Sequence, residues 1–208
     1  MSLAIVTPWR GNLSLAPDYF AAVDAAKPDQ LVVVDDCSDE PLTFAALRLD
    51  KPGGFCTASN AGLALVETDT VLMLNNDIRA LRGDWLEPYR KLIEPGVMVG
   101  PLRYDKHGGV DGVQYPYVDG WALGMTTEDA RRLGGWDEVY DEAGPAYFSD
   151  NALSFRARAA GMTLREVRPG LHHKGGQTGG VDRAAFERAL TANAQVFAGQ
   201  VRAVVGGG

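Results

Sequence analysis

Short apolar runs alternate with helix-period stretches through the first half of the chain. "LAIVT" (3–7) and "LVVVD" (31–35) are continuous runs rich in β-branched residues, the pattern of strands buried on both faces of a parallel sheet. Between them Asp18 to Ala26 reads as a short helix, closed by Lys27 and Pro28. "TASNAGLALV" (57–66) reads as a second helix with Thr57 at its N-cap. It leads into a strand at 70–75, a helix around Trp85–Ile93 and a strand at Val97–Leu102. This rhythm predicts an α/β domain with a mostly parallel central sheet flanked by helices. One link is uneven: residues 39–45 leave little room for a crossover helix before "ALRLD" (46–50), where a third strand is expected.

The second half changes character. Residues 104–115 are rich in Gly and Asp, as a hairpin or loop would be, and "YVDGWALGM" (117–125) predicts a further strand. A helix is expected from near Asp150 to Gly161, a residue suited to the left-handed position past a helix end. "MTLREV" (162–167) reads as a last strand. Phe186, Ala189, Leu190 and Phe197 then share one face of a C-terminal helix over about 182–205, with a frayed tail at 206–208. No repeat or linker interrupts the pattern, so 1–208 is expected to be a single domain.

A chain of 208 residues can build a core without disulfide or metal staples. Cys37 and Cys56 have neither metal-type nor redox-type spacing and are expected to be reduced thiols of a cytoplasmic protein. No run approaches the ~18 apolar residues of a membrane span, and no signal peptide is expected at the N-terminus. The formal net charge of −7, from 20 Lys+Arg against 27 Asp+Glu, argues against binding a nucleic-acid backbone, which needs many cationic contacts. A smaller polyanion would need local help from a metal ion, helix N-termini or aimed arginines.

That constraint gives weight to the strand ends. Ligands of open α/β sheets bind beyond the carboxyl ends of the strands. Polar or acidic residues sit there after three strands: Thr7 with Trp9, Asp35 with Asp36, and Asn75-Asn76-Asp77. Singly, each reads as a turn or a cap. Together, the sheet would gather them at one edge. A dinucleotide fold would also end its second strand on an acid, but "TPWRGNLS" lacks the glycine-rich phosphate cradle that must follow the first. No Walker-type loop is present either.

"LAIVTPWRGN", "VVVDDCSDE", "GGFCTASNAGLALVETDTVLMLNNDI", "VDGWALGMTTEDARRLGGWDE", "YFSDNALSFRARAAG" and "LHHKGG" follow one another in an order that resembles the GT-A fold glycosyltransferases of family two, rhamnosyltransferase-like members in particular. The resemblance spans roughly residues 3–178 and implies an inverting enzyme. Its donor would be a nucleoside-diphosphate sugar of UDP or dTDP type, its acceptor a hydroxyl on a carbohydrate or other molecule. It places Thr7 and Trp9 at the nucleoside, Asp36 on a uracil or thymine N–H, Asp35 beside the base or ribose, and Asn60 near the nucleotide. "NND" stands where the family has D-x-D. Asp77 then becomes a ligand of Mg²⁺ or Mn²⁺, with Asn75 replacing the first acid and Asn76 near ribose or metal-bound water. His173, in the tandem His172-His173, matches a late histidine that completes the metal site in some GT-A enzymes.

The same resemblance makes Asp150 the general base, although an aspartate at a helix start also reads as a plain cap. Trp121, Trp136 and Asp137 fall in acceptor-side segments, where the tryptophans would stack on a sugar ring or pack in the core. His107 has no assigned role and is expected at the surface. Ser149 and Ala152 replace two family acids around Asp150. These losses, with Asn75, keep open a rival of another class: a catalytically weakened nucleotide-sugar-binding or scaffold protein. A nucleotidyltransferase is a poorer rival, because "TPWRGN" offers only Arg10 where a Gly- and Lys/Arg-rich loop is needed.

Overall fold

The computed structural model describes residues 1–104, 106–175 and 183–206. In chain order the first half contains β1 (Leu3–Trp9), α1 (Ala16–Ala26), β2 (Gln30–Asp35), β3 (Leu47–Arg48), α2 (Phe55–Ala64), β4 (Thr70–Leu74), β5 (Ile78–Ala80) and α3 (Glu87–Leu92). The second half contains β6 (Val97–Gly100), β7 (Leu102–Arg103), β8 (Gly109–Val110), β9 (Val113–Gln114), β10 (Tyr117–Val118) and β11 (Ala122–Thr126). It closes with α4 (Thr127–Arg132), α5 (Ser149–Ala159), β12 (Thr163–Glu166), β13 (Leu171–His173) and α6 (Arg183–Val205).

Seven strands form the central sheet in the order β12-β6-β11-β4-β1-β2-β3. Every neighbouring pair is parallel except those made by β11, which runs antiparallel to both β4 and β6. The continuous apolar runs follow from burial on both faces. Ala4, Val6, Val32, Val34, Val71 and Met73 point into one core layer together with residues of α2, α5 and α6. The alternate residues Leu3, Ile5, Val33, Leu72 and Leu74 point into the other layer with residues of α1 and α3. Helix α2 lies close on the sheet because of Gly62, where an added Cβ would overlap Val6 and Val34.

Several boundaries differ from the sequence expectation, each for a local reason. β1 continues through Pro8 to Trp9, because its pairing with β4 ends at Val6 and leaves Pro8 flanked by β2 alone. The third strand is only Leu47–Arg48, an edge strand beside β2. Helix α2 begins at Phe55 with Gly54 as its N-cap, so Thr57 lies inside the first turn rather than capping it. The expected strand at 97–102 breaks at Pro101 into β6 and β7, since proline has no N–H to give a ladder. The expected strand at 117–125 splits into β10 and β11 around Asp119-Gly120-Trp121. Asp182 and tail residues 207–208 lie outside the described residues, as does Gly176 of "LHHKGG". No helix among the described residues is long and apolar enough to cross a membrane.

Candidate active site

An open cleft of about 930 Å³ lies where β1, β2 and β4 end and β11 begins. Of the residues singled out from sequence, Trp9, Asp36, Asn75, Trp121, Trp136, Asp150 and His173 line it; Thr7, Asp35, Asn60, Asn76, Asp77 and Asp137 do not.

Thr7 is buried, its hydroxyl 2.6 Å from that of Tyr19. Trp9, two residues on, packs its ring edge-on to Tyr19 and Phe44 and donates its indole N–H to the Gly11 carbonyl at 2.6 Å. Asp35 is fully buried and accepts from the backbone N–H groups of Ser38 (2.8 Å) and Leu42 (3.1 Å) and from the Arg48 guanidinium. Burial alone would raise its pKa, but the bonds from Ser38, Leu42 and Arg48 outweigh that and hold it below the usual carboxylate value. Asp35 therefore shapes the loop after β2, and Asp36 is the member of the pair that reaches the cleft.

Asp36 accepts from the backbone of Gly53 at 2.6 Å and of Gly54 at 3.2 Å. Burial pushes its pKa up, against the opposing pull of those two N–H groups and of Arg10. Asp141, from a 3-10 turn at Glu138–Asp141, reaches the same helix start and accepts from Cys56 N–H (3.1 Å), Thr57 N–H (2.8 Å) and the Thr57 hydroxyl (3.1 Å). Two carboxylates thus satisfy the orphan donors at the start of α2, and both line the cleft. Asn60 lies further along α2 as a clamp. Its amide accepts from Trp136 N–H at 2.8 Å and donates to the Trp136 carbonyl at 2.9 Å, fixing that tryptophan rather than facing the cleft.

Beyond β4, Asn75 opens onto the cleft while Asn76 and Asp77 turn inward, each 2% exposed. The Asn76 amide nitrogen and Asp77 Oδ1 have no hydrogen-bond partner. Asp77 Oδ1 does lie 3.0 Å from His173 Nε2, without the alignment of a hydrogen bond. His173 is delivered by β13, which pairs antiparallel with β5 and sets His173 opposite Ile78. Its ring stacks on Trp121 with centroids 4.8 Å apart and planes 8° from parallel. Asn75 Nδ2 stands 3.4 Å from the same His173 nitrogen, and a flipped amide would present its oxygen there instead. A carboxylate oxygen, an imidazole nitrogen and an amide thus meet at one point, a donor set that fits Mg²⁺ or Mn²⁺. Among the described residues no group of three His, Cys, Asp or Glu is placed to hold a metal ion.

The opposite end of the cleft is organised by the break between β10 and β11. Gly120 N–H donates to Asp150 Oδ2 at 3.0 Å, and Asn151 N–H to Oδ1 at 2.9 Å. Packing at Gly120 is tight: a Cβ there would stand 3.0 Å from the Trp136 ring and 3.1 Å from Asp150 Cβ, so those side chains would have to give way by a few tenths of an ångström. Burial, reinforced by the nearby Asp119 charge, pushes Asp150 up to about 7 despite those backbone bonds. A carboxyl near neutrality in an open cleft is suited to taking a proton. Phe148, the N-cap of α5 two residues before Asp150, is held at φ 68° and ψ −2°. A bulky side chain in the left-handed region is strained, so surrounding packing must enforce it.

Trp136 lines the cleft and meets Phe55 edge-on at 4.9 Å. Asp137 instead caps the 3-10 turn through Val139 N–H (3.2 Å) and accepts from Gln200 at 2.7 Å. His172 is exposed, whereas His107, expected at the surface, lines the cleft beside Phe148. Sequence reasoning passed over Asp119, Asp141 and the wall formed by Tyr147, Phe148 and Phe186. Asp119 sat inside the "DGW" segment and was discoverable there. Asp141 carried no local signal, because it caps a helix 84 residues earlier in the chain.

No protein-family model matches the sequence, and no curated protein matches it. Solved structures do. A mannosyltransferase, PcManGT from Pyrobaculum calidifontis in complex with GDP-Man and Mn²⁺, superposes with a TM-score of 0.64 at 14% identity, covering 99% of this chain and 74% of that one. GalNAc-T7 with UDP, GalNAc and Mn²⁺ gives 0.61 at 13% identity, over 91% of this chain and 47% of that one. S. aureus TarS 1–349 in complex with UDP gives 0.59 at 13% identity, over 95% and 65%. The chain therefore spans about half to three quarters of the length of these structures, and it has their GT-A fold.

Proposed function

We propose that the chain is a metal-dependent, inverting glycosyltransferase that moves a sugar from a UDP- or dTDP-type donor to an acceptor hydroxyl. One observation carries the reading: a single cleft at the strand ends joins Asp36, Asn75 and His173 to Asp150, a carboxyl poised near pH 7. The mannosyltransferase, GalNAc-T7 and TarS structures support it, since they share the fold and hold GDP-Man, UDP or Mn²⁺.

Asp36 would accept the N–H of the base, and Trp9 would close the pocket behind it. Asp77, His173 and Asn75 would hold the Mg²⁺ or Mn²⁺ ion. Bound there, the ion supplies positive charge to the donor's two phosphates and stabilises the departing nucleoside diphosphate. Asp150 takes the proton from the acceptor hydroxyl. The oxygen forms its bond to the anomeric carbon as the carbon–oxygen bond to the diphosphate breaks, the electron pair leaving with the nucleotide. Gly120 and Asn151 N–H groups keep the Asp150 carboxylate aimed during the transfer.

The rival reading of a weakened, donor-binding protein rests on Ser149, Ala152 and Asn75 in place of acids. Ala152 belongs to the apolar core layer, where an acid would serve the cleft poorly, and Asp150 is retained. That favours an active enzyme. The experiment is donor turnover measured with Mn²⁺ and with chelator, beside thermal stabilisation by UDP and dTDP. Metal-dependent stabilisation with turnover is expected. Stabilisation without turnover, across acceptors, would support the binding protein.

A further inference from the structure

The two ends of the cleft differ in chemistry. The donor end is polar, with Arg10, Asp36, Asn75 and His173. Past Asp150 the wall is Pro145, Ala146, Tyr147, Phe148, Phe186 and Leu190, and it presents no charged side chain. Tyr147 meets Phe186 edge-on at 4.9 Å, and Phe148 lies against Phe197 at 5.9 Å. Phe186 remains 38% exposed at the mouth of this wall. Among the described lining residues the acids Asp36, Asp119, Asp141 and Asp150 outnumber the one arginine, Arg10, and Asp119 is paired with Arg103 at 3.0 Å.

We infer that the acceptor is a neutral molecule with an alkyl or aryl group next to its reactive hydroxyl, and that Tyr147, Phe186 and Leu190 hold that apolar group. The inference rests on the reading of Asp150 as the base. Asp150 fixes where the hydroxyl must sit, and the wall continuous with it fixes what lies beyond. Burying apolar surface against aromatic rings releases water from both and is favourable in proportion to the area covered. An anionic acceptor would instead meet the cleft's carboxylates; Asp119 is paired with Arg103 at 3.0 Å, but no lysine or arginine is among the described residues that line this side. Sugar hydroxyls beyond the first would find few partners on this wall.

The test uses the intact chain with nucleoside diphosphate and Mn²⁺ present. Binding of three surrogates is compared by calorimetry: methyl β-glucoside, octyl β-glucoside below its micelle concentration, and glucose 6-phosphate. Octyl β-glucoside is expected to bind at least about tenfold tighter than the methyl glucoside, each buried methylene adding roughly three- to fourfold. Phe186→Ser should remove most of that preference while nucleoside diphosphate binding is unchanged. Equal binding of the two glucosides, or tightest binding of the phosphate ester, would overturn the inference. So would an octyl preference that survives in both Phe186→Ser and Leu190→Ser. A concentration-dependent dimer lost in Phe186→Ser would assign the wall to a second copy instead. Failure of nucleoside diphosphate itself to bind would count against the glycosyltransferase reading, which separates the two outcomes.

Discussion

The loop after β2 carries one aspartate pair, the turn before β11 forms another with α5, and the fold uses them in opposite ways. At Asp35-Asp36 the first carboxylate is spent inside, on Ser38, Leu42 and Arg48, so that the second can stand at the cleft. At Asp119 and Asp150 the acids come from distant segments, and the cleft keeps both. Internal bonds hold Asp35 below its usual pKa, whereas burial beside a second carboxylate drives Asp150 to about 7. Hydrogen bonds received decide whether a buried acid is architecture or chemistry. Asp35, with two backbone donors and a guanidinium, is held ionised. An acid left with two donors and a like charge nearby is free to exchange a proton.

The sharpest way to break that contrast is at Asp150. Asp150→Asn is expected to lower sugar transfer by about two to four orders of magnitude with donor affinity retained, measured as nucleoside diphosphate release against calorimetric binding. Near-normal turnover would reduce Asp150 to a helix cap. Wild-type transfer should rise with pH through about 7, where the carboxyl loses its proton. The stability consequence has a definite sign. The folded pKa lies above the ordinary 3.8, so the stability held below that value is lost as pH climbs through about 7. Asp150→Asn should therefore raise the melting temperature more at pH 8 than at pH 4, read by scanning calorimetry.

Asp35→Ala tests the other half of the contrast. It should cost on the order of 3 kcal/mol of folding stability by chemical denaturation, because buried donors and the Arg48 charge lose their partner. Loss of donor binding without loss of stability would move Asp35 into the site. Asp36→Ala is expected to be milder for the fold and to weaken nucleoside diphosphate binding by roughly 1–3 kcal/mol, measured by calorimetry. The smallest effect is assigned to Trp121→Leu. Losing the ring stacked on His173 should weaken Mn²⁺-dependent nucleotide binding by roughly 0.5–1.5 kcal/mol and reduce the Mn²⁺ quenching of total tryptophan fluorescence relative to wild type. Unchanged quenching would detach Trp121 from the ion.

These contrasts also explain what could be read from the chain itself. The two-faced burial of β1, β2 and β4 was legible because Ala4, Val6, Val32 and Val34 alternate with Leu3, Ile5 and Val33, all apolar, and nothing else packs such a run. The gathering of Asp36, Asn75 and Asp150 was legible from strand ends and from the ordered family segments. What stayed hidden lies in pairings across long sequence separation. Asn60 looked like a ligand for a nucleotide, but its amide is taken by the backbone of Trp136. Asp137 looked available to an acceptor, but the turn and Gln200 hold it. Trp121 was assigned to the acceptor side, and only the antiparallel pairing of β13 with β5 reveals the histidine stacked on it.

The two thiols offer an experimental handle. Cys56 is fully buried at the start of α2, and burial together with the Asp141 charge pushes its thiol far from the reactive thiolate form. Cys37 is only half-buried, next in sequence to Asp36. Native folding thus leaves a single practical attachment point for an alkylating fluorophore, one residue beyond the Asp36 that lines the proposed nucleotide pocket. A dye placed there would report occupancy in real time without any engineered cysteine, and its loss of selectivity would signal that α2 has come away from the sheet.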